Sequence, residues 1–351
     1  MPRVDLFKIL VIRFASKSNS KVNELTETLS EAPRRGISGL FALMILALSS
    51  MPLAALAQDR KAELSVYKGA GCEGSARIAG FERWLVRPID RVVDFLARDT
   101  WRSMVSSGKW ISDCWKTTRY KVSLAIPMLP SDRQSNLEEG AGGAYNSYFR
   151  ELAEAFVSNG QGDAILRLGW EFNGGWYPWA AQRNPEAWVA LWKQIVTTMR
   201  AVPGARFKFD WSPTLGWQQV RSDKVYPGDD YVDIIGLDVY NQTWNSKATT
   251  PEARWGDLMD QSYGLKWHAE FARKHGKCMS FPEWGTGTRP DGHGGGDDPL
   301  FVRNMAAWIS SHNVCYHGIW DYPASDFNAE VSKGNLPGAG KEIREKFGKL
   351  Q

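Results

Sequence analysis

Histidine and cysteine are scarce in this chain, with five and four among 351 residues. The histidines stand at no ligand spacing and no Cys-x-x-Cys occurs. That argues against a zinc site, and with it against metal-dependent deacetylation or phosphoester hydrolysis. An excess of one charge is missing too. The net charge is +4, but residues 1–57 hold seven Lys/Arg against four Asp/Glu, which leaves 36 against 35 in the rest. A near-neutral body without a basic stripe offers no electrostatic case for nucleic acid. Tryptophan is plentiful instead. There are 17, many in loops expected at strand ends, a distribution that favours contact with a ligand.

Residues 1–33 are polar, mixed in charge and without periodicity, and are read as an unstructured extension. Arg34-Arg35 then precede the apolar run Gly39 to Leu48, followed by Ser49, Ser50, Pro52 and Ala55-Leu56-Ala57. A positive end, an apolar core and a small-residue site make a secretory signal, cut before Gln58. Gly39 to Ala57 is 19 residues, nearly a bilayer span, but Ser49, Ser50 and Pro52 weaken that reading. The expected protein has a leader over 1–57 and one catalytic domain over 58–351. It is secreted or periplasmic, monomeric, and free of a stable membrane span once cut. Export places Cys72, Cys114, Cys278 and Cys315 in an oxidising compartment, where three pairings are open and so is the free-thiol alternative. Cys278 and Cys315 fall one residue off the inward sets of their strands, so they are expected to face surrounding helices.

Beyond Gln58, short apolar runs alternate with longer amphipathic segments. Strands are expected near Glu63–Tyr67, Asp90–Leu96, Tyr120–Ile126, Ala164–Trp170, Arg206–Trp211, Val232–Val239, Lys277–Pro282 and Val314–Trp320. Helical patterns are clearest at Tyr145–Ser158, Pro185–Ala201, Leu258–His275 and Pro299–Ser311, with Asn184-Pro185 as a start and His275-Gly276 as a stop. Eight strands, each followed by a helix, predict an α/β fold of the (β/α)8 TIM-barrel type as a single domain. Active sites in that fold form at the C-terminal strand ends, and here those ends read Tyr67, Glu171, Trp211, Tyr240, Glu283 and Trp320.

Two strand ends carry the chemistry. In Ala164-Ile165-Leu166-Arg167-Leu168-Gly169-Trp170-Glu171, alternation places Arg167 and Glu171 on one face. The loop Asn173-Gly174-Gly175-Trp176-Tyr177-Pro178-Trp179 follows. In Met279-Ser280-Phe281-Pro282-Glu283-Trp284-Gly285, alternation groups Met279, Phe281 and Glu283. Two glutamates beside flat rings suit sugar chemistry, because rings stack on pyranose faces while the carboxyls act on the glycosidic bond. The expected roles are acid/base for Glu171 and nucleophile for Glu283. A retaining pair stands about 5–5.5 Å apart, and an inverting pair about 6.5–9.5 Å. Arg167 is expected to pair with Glu283, Asp210 or Asp238, and Tyr240 to orient the nucleophile. Trp320 is expected to floor the reacting sugar. Trp170, Trp176, Trp179, Trp211 and Trp284 are candidates for substrate contact, and Asn173 for a sugar hydroxyl or for fixing its own loop. His293 beside Gly294-Gly295-Gly296-Asp297-Asp298 suggests a mobile rim more than a metal site, with Asp298 capping a helix that begins at Pro299.

At these residues the chain resembles glycoside hydrolase family 26, whose mannanases belong to the large retaining clan of barrel glycosidases. Arg167 with Glu171-Phe172-Asn173-Gly174 and Trp176-Tyr177-Pro178-Trp179 is similar to that family's fourth-strand motif, and Phe281-Pro282-Glu283-Trp284-Gly285 to its seventh-strand nucleophile motif. Asp210-Trp211-Ser212-Pro213 and Ile235-Gly236-Leu237-Asp238-Val239-Tyr240 look like its fifth and sixth strands. The resemblance covers roughly residues 63–348 and implies the barrel and the catalytic pair. Trp170 stands where the family's mannanases usually carry histidine, and the wider texture is that of an outlying bacterial branch.

Together these readings predict a retaining, endo-acting hydrolase of a β-linked polysaccharide, either β-mannan-like or a bacterial exopolysaccharide, needing no cofactor. The rival of another class is a non-catalytic carbohydrate-binding barrel.

Overall fold

The computed structural model describes residues 61–348. The expectations for the leader, the signal and the cut before Gln58 lie outside these residues. Among them no helix is long and apolar enough to cross a membrane.

The described residues form nine parallel strands: β1 Glu63–Tyr67, β2 Arg91–Phe95, β3 Lys121–Ile126, β4 Ile165–Leu168, β5 Lys208–Trp211, β6 Ile234–Gly236, β7 Val239–Tyr240, β8 Cys278–Gly285 and β9 Val314–Trp320. They run in the order β6-β5-β4-β3-β2-β1-β9-β8-β7, and a β6–β8 pairing closes the ring. Val232–Val239 is thus two strands, broken at Leu237-Asp238, with β7 pairing to the upper end of β8. Eight positions around a closed parallel ring make the expected (β/α)8 barrel.

The helices outside the ring are α1 Gly71–Leu85, α2 Trp101–Trp115, α3 Leu137–Ala141, α4 Asn146–Ser158, α5 Pro185–Arg200, α6 Pro251–Asp260, α7 Leu265–Lys274, α8 Pro299–Ser311 and α9 Pro337–Phe347. Their starts follow local chemistry. Asn184, Thr250 and Asp298 each accept a hydrogen bond from the backbone N–H three residues on, and a proline follows each of them. Thr100 and Ser103 form a reciprocal capping box on α2. The single helix expected over Leu258–His275 is interrupted at Gly264, which packs so closely on the carbonyls of Leu258 and Gln261 that a Cβ would meet them at 2.6 and 2.9 Å.

Much of the tryptophan is core. Trp188, Trp192, Trp211 and Trp284 are fully buried, and Phe172 packs on both Trp188 and Trp211. Each such ring buries roughly 200 Å2, worth about 5 kcal/mol at the usual coefficient. Core packing therefore accounts for several of the rings that the sequence assigned to ligand contact.

The barrel interior is unusually polar. Tyr316 donates to Asp210 Oδ2 at 2.5 Å, Ser280 donates to the same oxygen at 2.7 Å, and Ser123 donates to Tyr316 at 3.2 Å. Burial pushes the Asp210 carboxyl up to about 6 against the pull of Arg167. Below this layer, Ile165, Ile234 and Tyr316 form a small apolar cluster on which Cys278 and Cys315 pack. Those cysteines form one disulfide, and Cys72 and Cys114 form the other. The expectation that Cys278 and Cys315 face the helices is corrected. Register shifts between β8 and β9 interrupt the alternation on which it rested.

Candidate active site

Glu283 reaches the site through an irregularity. Ser280 faces the barrel interior, whereas Phe281 packs outward on His268 of α7. Strict alternation from Phe281 would carry Glu283 outward as well. Instead the β8–β9 register shifts between Phe281 and Trp284, around Pro282, and returns Glu283 to the inside. The expected grouping of Met279, Phe281 and Glu283 on one face is therefore wrong, although the inward placing of Glu283 is right. On the facing strand Gly318 makes room, since a Cβ there would stand 2.2 Å from the Pro282 carbonyl oxygen.

The Glu283 carboxylate is held at both oxygens. Arg167 Nη1 donates to Oε1 at 2.9 Å, and the Tyr240 hydroxyl donates to Oε2 at 2.7 Å. Arg167, fully buried, turns its other nitrogen to Asp238, with bonds of 2.9 and 2.7 Å. A buried guanidinium thus bridges two carboxylates at charge-assisted hydrogen-bond distances, while burial pushes the Asp238 carboxyl well up against its pull. Burial and the charge of Glu283 hold the Tyr240 hydroxyl well above its ordinary range, so it remains a neutral donor.

Glu171 arrives differently. β4 ends at Leu168, two residues earlier than expected, and the chain turns through left-handed backbone at Gly169 (φ 49°) and Glu171 itself (φ 53°). A Cβ at Gly169 would lie 2.5 Å from Met128 Sδ, so the turn needs glycine there. The Glu171 N–H then donates to the Ser212 carbonyl at 2.8 Å, pinning the acid to the end of β5. Left-handed backbone at a residue with a side chain stores strain of order 1 kcal/mol, a mark of functional positions. Trp176 Nε1 donates to Glu171 Oε2 at 3.1 Å. Burial first, then the charge of Glu283, push the Glu171 carboxyl up to about 7.

Both glutamates line one open cavity of about 1000 Å3. Its floor beside Glu283 is aromatic: Trp320 stacks on Tyr67 at 4.5 Å, with Phe95 and Tyr240 against its edge. Of the expected contacts, Trp170, Trp176, Tyr240 and Trp320 line this cavity. Trp179, Trp211 and Trp284 do not, and all three are fully buried. Trp179 Nε1 donates to the Trp170 carbonyl, Trp211 packs on Phe172 and Phe271, and Trp284 Nε1 donates to His317 Nδ1. Asn173 is spent on its loop, exchanging two hydrogen bonds with the Thr214 backbone. Arg167 pairs with Glu283 and Asp238, two of its expected partners, and Asn173 takes the second of its two expected roles. Trp179, Trp211 and Trp284 are corrected from substrate contacts to supports.

The sequence reading missed Trp217 and Trp244, which line the cavity and are 57% and 60% exposed. Each lies four to six residues beyond a strand-end residue that was noted, Trp211 and Tyr240, so a search of the loops for further aromatics would have found them. The His293 ring turns Nδ1 to the Thr243 carbonyl at 2.9 Å, and its backbone N–H donates to Asp291 Oδ1 at 3.1 Å. Asp298 caps α8 as expected.

A closed (β/α)8 ring with two facing carboxyls at its C-terminal mouth defines the class, a barrel of the glycosidase type. Residues 132–254 match glycosyl hydrolase family 26. The match covers about a third of the chain, and over it the chain is similar to that family. The matched segment contains Glu171 and stops short of Glu283. Endoglucanase H of Acetivibrio thermocellus is 30% identical over 118 residues, which is 30% of this chain and 13% of that protein, so the chain spans a small part of its length. Among solved structures, the mannanase man26 of Bacillus subtilis superposes with a TM-score of 0.57 at 17% identity, covering 81% of this chain and 86% of that one. A Cellulomonas fimi endo-beta-1,4-mannanase double mutant gives 0.60 at 16%, covering 85% and 74%. A beta-mannanase of Bacteroides ovatus gives 0.57 at 14%, covering 84% and 91%. At these identities the likeness is one of fold.

Proposed function

We propose that this protein is a retaining glycoside hydrolase cutting within a β-linked polysaccharide. The observation that carries the reading is the unequal treatment of two carboxyls in one cleft. Glu171, raised to about 7, is available as an acid near neutrality, while Glu283 is clamped by Arg167 and Tyr240. Glu283 attacks the anomeric carbon as Glu171 passes its proton to the departing oxygen. Glu171, now a carboxylate, takes a proton from water, whose oxygen then displaces Glu283 and frees the sugar. Trp320 and Tyr67 offer the ring surface on which the reacting sugar would rest. The open cleft suits internal cutting, and the two disulfides suit an exported protein.

β-Mannan is the first substrate to test, because mannanases share the fold. Trp170 fills a wall position against Phe95 and donates to the Tyr177 hydroxyl at 3.1 Å, so the sugar beside it meets a ring. A bacterial exopolysaccharide is the second. The test is a panel of β-mannans, β-glucans, xylans and bacterial exopolysaccharides, scored for new reducing ends and for the anomer first released. Release of the β-anomer, with all cutting lost in Glu283→Ala, is expected. Inverted product refutes retention. Glycan binding with no cutting by the parent chain leaves only the non-catalytic barrel.

A further inference from the structure

Among the described residues five large hydrophobic side chains are strongly exposed, and three of them, Trp176, Trp217 and Trp244, line the one cleft. Trp176 is occupied with Glu171. Trp217 and Trp244 belong to an arm of the cavity between the loops after β5 and β7, and their ring contacts are to Tyr263 and His293, not to the aromatic floor beside Glu283. An indole left mostly in water forfeits a large burial gain, and here it is also held still.

Trp244 is fixed from both sides of the chain. The Thr243 N–H donates to the His293 carbonyl at 3.1 Å, and the His293 ring lies against the indole at 5.0 Å and 26°. The Arg289 guanidinium sits 5.3 Å from the ring centre and donates to Gln242 at 2.9 Å. Asp257 accepts from Thr243 and Asn245 at 2.9 and 2.8 Å. Trp217 follows Gly216, whose N–H donates to the Tyr263 carbonyl at 3.0 Å, and leans on the Tyr263 ring at 5.8 Å. Arg289 is paired with Asp291, and Asp257, on α6, is turned to the Thr243 and Asn245 side chains. The wall between them carries the two rings, Leu215, Leu258 and the carboxamides of Gln218, Gln242 and Gln261.

We infer that Trp217 and Trp244 form a second sugar-binding segment of the cleft, for neutral backbone units away from the bond being cut, with His293 and Arg289 as positioning residues for Trp244. Flat rings cover pyranose faces, carboxamides meet hydroxyls in either sense, and Arg289, already paired with Asp291, is not free to select a uronate, which Asp257 would repel. The inference deepens the proposed function and rests on the glycan-binding part of it.

The test uses the Glu171→Gln protein in native gels containing soluble β-mannan, mixed-linkage β-glucan or xylan. Retardation in at least one gel is expected. In that gel Trp217→Ala and Trp244→Ala should each raise the Kd about tenfold, or 1.4 kcal/mol, and His293→Ala should raise it less. Trp110→Ala removes an exposed ring outside the cleft and should change nothing. Trp244→Phe, which keeps a ring, should fall between parent and alanine, and thermal melts establish that each variant is folded. Unchanged retardation in both tryptophan variants overturns the inference, as does an equal loss in Trp110→Ala or a lack of retardation in all three gels. The parent chain in the same gels reads hydrolysis separately. Retardation that depends on the tryptophans without clearing sinks the hydrolase alone, whereas clearing without that dependence sinks this segment alone.

Discussion

Replacing Glu171 by glutamine removes an acid whose ionisation the fold resists. The side chain keeps its shape, and its oxygen still accepts from Trp176 Nε1. In the unfolded chain the carboxyl titrates near 4.5, and in the folded one at about 7. Below 4.5 both states hold the proton and the group costs nothing. As pH rises the unfolded state releases it first, so stability falls until the folded form is also ionised above 7. That difference gives a cost of about 0.8 kcal/mol at pH 5 and about 3 kcal/mol at pH 8. The glutamine protein should therefore match the parent within about 1 kcal/mol at pH 5 and exceed it by about 2–3 kcal/mol at pH 8. Urea unfolding with the disulfides intact, followed by tryptophan fluorescence at both pH values, measures this. A gain equal at the two pH values, or a loss at pH 8, would refute the idea that burial and Glu283 hold the proton on Glu171. The same protein should lose about 100- to 10,000-fold in kcat on substrates with a poor leaving group.

The parent's kcat/KM should decline above about pH 7 as free Glu171 gives up its proton, and a flat profile to pH 9 would remove it as the acid. Arg167→Met leaves Glu283 and Asp238 without their shared cation and should cost about 3–5 kcal/mol in urea unfolding, with Arg167→Lys less harmful. Tyr240→Phe removes one donor to Glu283, so about a 10- to 100-fold drop in kcat with a stability loss near 1 kcal/mol is expected, read by kinetics and thermal melts together. Reduction opens loops of 42 and 37 residues, and each lost disulfide should cost up to about 4 kcal/mol, measured as a fall in the urea midpoint with added thiol.

The barrel and the two carboxyls of its cleft were legible because they rest on local rules. Runs such as Lys121–Ile126 and Val314–Trp320 announce buried strands, Asn184-Pro185 and Asp298-Pro299 announce helix starts, and a glutamate closing an apolar run announces itself in a fold whose sites lie at strand ends. Where the reading erred, alternation was carried through an irregularity. Period two is a property of regular strand, and neither the left-handed turn at Gly169 and Glu171 nor the shift around Pro282 is regular. Both glutamates reached the expected cleft by routes that alternation does not describe.

The sequence by itself determined which elements form, in which order, and which two glutamates close strands at the mouth of the barrel, because propensity, capping and chain order act over a few residues. Only the tertiary structure decided which tryptophans are wall and which are core. Trp179, Trp211 and Trp284 look no different in sequence from Trp217 and Trp244, yet the first three are sealed and the last two stand in water. Burial is a property of what packs against a ring from distant parts of the chain. The pairing of the cysteines and the clamp of Arg167 on Glu283, 116 residues away, were settled at that level as well.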